Sequence, residues 1–338
     1  MKILPYSRQY IDKNDINAVV RVMKSDFLTQ GPNVEIFEKK LAKKVGSKHA
    51  VAVNSATSAL HLACMSLGII KKDLVWTSAN SFVASINCAK YLGAKVDFID
   101  IDKNTYNISI EDLKKKLIKA KKNNNLPKLI IVVHFAGFPC DLKEIYKLSK
   151  IYNFKIIEDA SHAIGSKYFG SYIGNCKYSN VTIFSFHPVK IITSGEGGMC
   201  LTNNKNLRDK MLLLRTHGIT KENDKFKKKK VDEPWYYEQQ HLGYNYRMSD
   251  IHAALGISQL SKLEIFIKTR NKIANNYYKL LKDLPILLPK KNKKFLSSFH
   301  LFIIRIDYLR TKKTYKELFN YLRKNKLWVN LHYLPIYS

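Results

Sequence analysis

Long apolar runs are missing from this chain of 338 residues. No stretch approaches the roughly 18 consecutive apolar residues of a membrane-spanning helix. The N-terminus, MKILPYSRQYIDKND, lacks the apolar core of a secretory leader. Both absences predict a soluble, cytoplasmic protein with no membrane partner. Cysteine is sparse: Cys64, Cys88, Cys140, Cys176 and Cys200 are odd in number, widely spaced and never arranged as CxxC. That pattern excludes a disulfide framework and a zinc site, and no other metal-ligating constellation is visible. Acidic residues are few, 27 against 58 lysines and arginines, for a formal charge of +31. Such an excess raises the prospect of a polyanionic partner. The lysines, however, are scattered over helix faces and loops, as in Lys114–Lys116, Lys121–Lys122, Lys227–Lys230 and Lys290–Lys294. No nucleic-acid-binding motif accompanies them, and the aromatics do not interleave with them as a stacking platform. No nucleic-acid partner is therefore expected, while a basic surface suits a small anionic substrate. Internal repeats and low-complexity domains are also absent.

What the chain does have is alternation. A hydrophobic content of 46% over this length fits one large α/β domain with a smaller one. Strand patterns near 50–53, 73–77, 95–99, 128–134, 155–158, 181–186 and 198–202 alternate with helical patterns near 57–67, 81–92, 109–121, 141–152 and 205–215. Strands separated by helices imply a mostly parallel sheet covered on both faces. Residues 1–32 read as an N-terminal arm with a short helix near Asp15–Lys24, and 33–248 as the large domain. Asn33 can cap a helix that Gly46 ends. Residues 220–234, rich in lysine and without apolar period, read as a mobile surface loop. From Ser249 a long helix leads into a small domain, 249–338. This would hold a strand at Ser298–Ile306, a helix at Thr314–Asn325 and a strand at Leu327–Pro335.

The chemistry concentrates in three stretches at strand–helix junctions. In VTIFSFHPVKIITSGEGGMC, Val181–Cys200, an apolar run delivers Ser185, His187 and Lys190 into a turn followed by Gly195, Gly197 and Gly198. A lysine among apolar neighbours has a lowered pKa, and the neutral amine is the nucleophile that forms Schiff bases. A strand-end lysine reaching back to water is the plainer alternative. In KIIEDASHAIG, Lys155–Gly165, Glu158 and Asp159 close a buried strand, where open α/β sheets place ligands. A carboxylate there could hold the protonated pyridine nitrogen of pyridoxal phosphate, or merely cap the next turn. In VAVNSATSALHL, Val51–Leu62, a strand runs into a helix opened by small hydroxylated residues. Free amides and the helix dipole at such an N-terminus suit a phosphate, with Ser55, Thr57 and Ser58 as further donors. Similar residues also cap helices that bind nothing.

Together these stretches resemble the DegT/DnrJ/EryC1/StrS family of sugar aminotransferases, which have the aspartate-aminotransferase type I fold. The resemblance spans nearly the whole chain through LTQGP, NSATSAL, EDASHAIG, SFHPVK, GEGG, RTHGI and GYNYRMSDIHAALG. PWYYEQQHLGYNYRMSD, Pro234–Asp250, carries a narrower likeness. It points to the branch of pseudaminic acid synthesis that makes UDP-4-amino-4,6-dideoxy-N-acetyl-β-L-altrosamine.

The resemblance implies specific roles. Lys190 would hold pyridoxal 5'-phosphate as a Schiff base and then move the proton of the transamination. Asp159 would keep the ring nitrogen protonated, Phe82 would stack on the ring, and His162 would touch its 3-oxygen or flank it. Ser185 with the backbone of Ala56, Thr57 and Ser58 would grip the phosphate. Asn245 would complete the phosphate site of a neighbouring subunit, making the enzyme a homodimer with shared sites. Tyr6, the segment Leu28, Thr29, Gln30 and Gly31, and the segment Asn330, Leu331, His332 and Tyr333 would contact the UDP-sugar. The implied reaction moves an amino group from L-glutamate to C4 of a UDP-linked 4-keto-6-deoxy-N-acetyl sugar. His134 and His187 read as supporting residues, and His61 as a satisfied helix histidine. In the family the chain continues beyond an HYLP-like element, so an end at Ser338 reads as truncated. Other readings stay open: a sister sugar aminotransferase, a catalytically inactive homologue, or a basic RNA-binding protein. Lys190 argues against relatives that dehydrate at C3 and replace this lysine with histidine.

Overall fold

A computed structural model of the chain describes residues 3–227 and 233–338. The arm carries β1 (Leu4–Pro5) and α1 (Lys13–Met23). There follow α2 (Pro32–Val45), β2 (His49–Val53), α3 (Ala56–Ser66), β3 (Leu74–Ser78), α4 (Ala84–Lys90), β4 (Lys95–Ile99) and α5 (Ile110–Lys122). Next are β5 (Leu129–Val133), α6 (Leu142–Tyr152), β6 (Lys155–Asp159), the short β7 (Lys167–Tyr168) and β8 (Ser171–Tyr172), β9 (Val181–Ser185), β10 (Gly198–Thr202) and α7 (Lys205–Arg215). After the two-residue strands β11 (Ile219–Thr220) and β12 (Glu238–Gln239) come α8 (Asp250–Ser261) and α9 (Leu263–Leu280). The chain closes with β13 (Ile286–Leu287), β14 (Phe295–Leu296), β15 (Arg305–Ile306), α10 (Tyr315–Lys324) and β16 (Leu327–Trp328).

Seven strands form the central sheet, in the order β2-β10-β9-β6-β5-β3-β4. All pair in parallel except β10, which runs against both neighbours. The sequence explains why helices must cover both faces. In β5, LIIVV, every residue is buried, and successive side chains point to opposite sides. Ile130 and Val132 join the core built with α2, α5 and α6 through Phe37, Leu41, Leu113, Leu117 and Ile145. Leu129 and Ile131 join the opposite core, under α3, α4 and α7, with Leu60, Cys88 and Met211. Each such side chain contributes roughly 1.5–3 kcal/mol by leaving water. The fold is thus α/β with a large, mostly parallel sheet, as the sequence pattern predicts. No helix among the described residues is long and apolar enough to cross a membrane.

The arm is fastened by charge. Lys262, between α8 and α9, reaches the buried Asp15 at 2.6 Å and Asp12 at 2.8 Å, while Gln259 donates to Asp15 at 2.7 Å.

The structure corrects several expected elements. The second helix starts at Pro32, not behind an Asn33 cap, because Pro is pre-set for the first helical turn and the Asn33 amide is taken by Asp250 at 2.8 Å. The long helix after Ser249 breaks at Lys262 into α8 and α9. The strand expected at Ser298–Ile306 shrinks to Arg305–Ile306. Upstream, the amide of Ser298 bonds to the Ser166 hydroxyl and that of Leu301 to the Ala136 carbonyl, so neither is free for a ladder. Likewise Leu327–Pro335 keeps only Leu327–Trp328 as strand, since the Val329 carbonyl accepts from the Arg323 guanidinium. Part of the lysine-rich loop, 228–232, lies outside the described residues.

Candidate active site

Strand register sets the phosphate end of the site. Gly198 pairs with Ser185 on one side and with Val53 on the other. Ser185 therefore lies one strand spacing, roughly 5 Å, from Gly198, against which the turn that opens α3 packs. A Cβ at Gly198 would collide with the Ser55 carbonyl and the Ala56 amide, so glycine alone lets the helix begin against the strand. Ser55 caps α3 by accepting the Ser58 amide at 3.1 Å, and the Ser58 hydroxyl is spent on Asn54 at 2.6 Å. The amides of Ala56 and Thr57 and the Thr57 hydroxyl find no partner among the described residues. Orphaned amides at the positive end of an 11-residue helix fit an anion such as phosphate. Ser58, expected among the donors, is already committed.

Two neighbouring carboxylates at the end of β6 are sorted by the pleat. Glu158 turns into the sheet's other face, where His134 (2.9 Å), Ser179 and Thr182 (3.0 Å) donate to it. His134 is itself oriented by the Cys140 amide at 3.0 Å, a supporting role as expected. Asp159 turns toward Lys190. Its Oδ2 accepts the Ser85 hydroxyl at 2.6 Å and its Oδ1 the Ser161 amide at 3.1 Å, while Ser81 sits 2.9 Å from Ser85. Burial brings the pKa of Lys190 down to about 8, and the Asp159 charge pulls the other way. Roughly a tenth of the amine is then neutral at pH 7. Covalent capture of pyridoxal phosphate by the apoprotein should accelerate almost tenfold per pH unit below 8 and level off above it. Stopped-flow absorbance measures that profile, and a midpoint near 10.5 would show that Lys190 is not desolvated.

The opposite wall comes from the chain's two ends. β1 pairs in parallel with β16, which brings Tyr6 to His332 with ring centroids 5.4 Å apart. Ser7 donates to the Val189 carbonyl at 2.7 Å, beside Lys190. Tyr333 lies 5.9 Å from both Phe82 and Phe135, its amide donates to Asn80 Oδ1 at 3.1 Å, and its hydroxyl is 3.1 Å from His162 Nε2. Phe82 is exposed, its face open to a ring. Burial lowers the pKa of His162, His300 and His332, and the Lys190 charge adds to the effect. A cavity of about 1070 Å³ opens here, lined on its near side by Tyr6, Phe135, His300, His332 and Tyr333. It extends away from Lys190, which is not in its lining, toward α9 and α10.

Lys190, Asp159, His162, Phe82, Tyr6, His332 and Tyr333 thus cluster, with Ser185 and the α3 turn along the sheet edge. The segment Leu28–Gly31 does not join them. It docks on the start of α8, where the Asp250 amide donates to the Leu28 carbonyl at 3.0 Å and the Gly31 amide donates to Asp250 at 2.7 Å. Asn330, which accepts from Arg323 at 3.0 Å, and the exposed Leu331 line the same cavity as His332 and Tyr333, while Asn245 is exposed with its backbone bridged to Thr216. Sequence reasoning missed Ser85, Asn80 and His300. Ser85 stands three residues after Phe82 at a helix start, a signal it could have used; nothing in the sequence singles out His300.

Residues 9–338 match the model of the DegT/DnrJ/EryC1/StrS aminotransferase family. The UDP-4-amino-4,6-dideoxy-N-acetyl-β-L-altrosamine transaminase of Campylobacter jejuni serotype O:2 is 42% identical, over 99% of this chain and 85% of its own length. The spore coat polysaccharide biosynthesis protein SpsC of Bacillus subtilis is 34% identical over 99% of this chain and 84% of its own. Among solved structures, Helicobacter pylori PseC, an aminotransferase involved in the biosynthesis of pseudoaminic acid, superposes with a TM-score of 0.89 at 33% identity. That match covers 100% of this chain and 86% of PseC. Spr1654 of Streptococcus pneumoniae in its PLP form gives 0.85 at 26% identity, covering 99% of this chain and 86% of that one. The chain belongs to the DegT/DnrJ/EryC1/StrS aminotransferase family.

Proposed function

We propose that this protein transfers an amino group from L-glutamate to C4 of a UDP-linked 4-keto-6-deoxy-N-acetyl sugar, with pyridoxal 5'-phosphate held on Lys190. The observation that carries the reading is the half-buried, partly neutral Lys190 facing Asp159 at the carboxyl ends of β6 and β9. The sugar assignment rests on the name of the 42% identical Campylobacter relative. The residues fit the cofactor: orphaned amides and hydroxyls for a phosphate, a carboxylate for a ring nitrogen, an open aromatic face for a ring. When bound, pyridoxal phosphate supplies an electrophilic carbonyl carbon and a protonated ring that draws off electrons. The chain does the rest. Ala56 and Thr57 amides with the Thr57 and Ser185 hydroxyls hold the phosphate. Asp159, fixed by Ser85, keeps a proton on the pyridine nitrogen. Phe82 covers one ring face, and Lys190 Nζ takes a proton from one carbon and returns it to another. Tyr6, His332 and Tyr333 wall the sugar side and exclude water. A panel of UDP-keto sugars with glutamate tests this. Amination at C4 is expected; transfer only to another keto position would make it a sister sugar aminotransferase.

We also infer a homodimer with shared sites. Asn245 is exposed and its side chain makes no hydrogen bond among the described residues. The same segment exposes Trp235, Tyr237 and Leu242, apolar surface of the kind that marks an interface. In an isologous dimer each site would need Lys190 from one chain and Asn245 from the other. Mixing Lys190→Ala with Asn245→Asp, which sets a carboxylate against the phosphate, should restore activity above both parents as subunits exchange. No recovery in mixed dimers confirmed by light scattering would mean that Asn245 serves its own chain or none.

A further inference from the structure

The hydrogen-bond polarity of the His162–Tyr333 pair is fixed from the protein side. The Ala136 amide donates to His162 Nδ1 at 3.2 Å. An amide offers a proton and no lone pair, so Nδ1 carries the lone pair. His162 is buried, and the charged or titratable groups acting on it are Lys190, His332, the adjacent His300 and Tyr333, none of them a carboxylate. A neutral ring therefore keeps its one proton on Nε2 and donates it to Tyr333 Oη at 3.1 Å. Tyr333 has thus accepted its hydrogen bond and must place its own proton elsewhere. No acceptor among the described residues takes it, and the tyrosine lines the cavity.

The pair is also clamped. The His300 ring packs against His162 with centroids 4.4 Å apart. The Ser298 hydroxyl donates to the His162 carbonyl at 2.9 Å, and Arg270 Nη1 donates to the carbonyls of Phe299 and His300 at 3.1 and 3.2 Å. Gly137, at φ +93°, lets this clasp close, because a Cβ there would run into the Ser298 side chain.

We propose that Tyr333 is a one-way hydrogen-bond donor to a ligand oxygen that carries negative charge during the reaction. His162 is the positioning residue that sets the direction, with His300 as its backing. The ligand's identity rests on the function proposed above. Two oxygens share the chemistry: the phenolic oxygen of the cofactor ring and the keto oxygen of the sugar.

The first test needs no ligand. Nitrogen-15 NMR of histidine-labelled protein, with His162 assigned by the signals lost in His162→Gln, should show a neutral ring protonated on Nε2 at pH 7. A proton on Nδ1, or on both nitrogens, overturns the proposal. The second test measures affinity in a Lys190→Ala background, first for pyridoxamine phosphate, then for a UDP-4-keto sugar against UDP alone. Adding Tyr333→Phe should weaken one arm about tenfold. Loss for pyridoxamine phosphate assigns the ring oxygen; loss for the keto sugar but not for UDP assigns the keto oxygen. Unchanged affinity in both arms overturns the proposal. The polarity itself is read by two further variants. In His162→Gln the amide oxygen can still accept from Ala136 and its nitrogen still donate to Tyr333. His162→Glu offers Tyr333 an acceptor and turns its hydroxyl away from the cavity. Glu should therefore reproduce the Tyr333→Phe loss while Gln recovers most of it; equal losses overturn the directional role. Failure of Lys190→Ala itself to bind pyridoxamine phosphate would refute the cofactor reading, and the NMR arm would still decide this one.

Discussion

Lys190→Ala is expected to bring multiple-turnover transamination below detection, a loss on the order of 10⁴-fold or more. The same position should reveal a stability effect of opposite sign. In the folded protein the Lys190 pKa falls from 10.5 to about 8, because burial disfavours the charged amine. A depressed lysine costs stability wherever the unfolded chain would be protonated. The cost is full below about pH 8, shrinks between 8 and 10.5, and vanishes above. Its upper size is about 3 kcal/mol. Lys190→Met, which keeps the apolar stem, should therefore denature later than the wild-type apoprotein at pH 7, with the gap closing as pH rises. Denaturant titrations at pH 7 and 10.5 measure it. Sustained turnover by Lys190→Ala without an added amine would remove the lysine from its proposed role.

Asp159→Asn should lower turnover by about 10³-fold, roughly 4 kcal/mol of transition-state stabilisation, while cofactor affinity changes far less. The amide keeps the size and one of the two acceptors, so it can hold either the Ser161 amide or the Ser85 hydroxyl, and a hydroxyl can turn to accept from its NH2 instead. What disappears is the charge that favours a protonated ring nitrogen. A second readout separates this from mere misfolding. Asp159 raises the Lys190 pKa, so its removal should shift the pH midpoint of cofactor loading downward. Turnover at the wild-type rate with an unmoved midpoint would reduce Asp159 to a turn residue.

The parts legible in the sequence were those enforced locally. Apolar runs such as the KII of β6 and the VTIFS of β9 have few folds open to them, and they delivered Asp159 and Lys190 to the same carboxyl end of the sheet. The pleat alone separates Glu158 from Asp159, though the sequence offers both. Illegible were contacts that join distant segments. Ser298–Ile306 has a strand's composition, yet its backbone is claimed by Ala136 and Ser166 before a ladder can form. His300 sits in that segment and acquires a role only through the clasp. The Leu28–Gly31 turn reads as a substrate loop, and the residue that anchors it, Asp250, which takes the Gly31 amide, lies 219 positions further on.

The pairing of Leu4 with Leu327 has a consequence for the order of folding. The central sheet is complete once residues 49–202 are made, but the wall carrying Tyr6, His332 and Tyr333 needs the first and last parts of the chain to meet. Loop closure over such a span is the slowest and entropically costliest contact a chain makes. During synthesis, Lys190 and Asp159 can stand in a folded sheet well before Leu327 leaves the ribosome, so the proposed nucleophile is in place while its chamber still lacks one side.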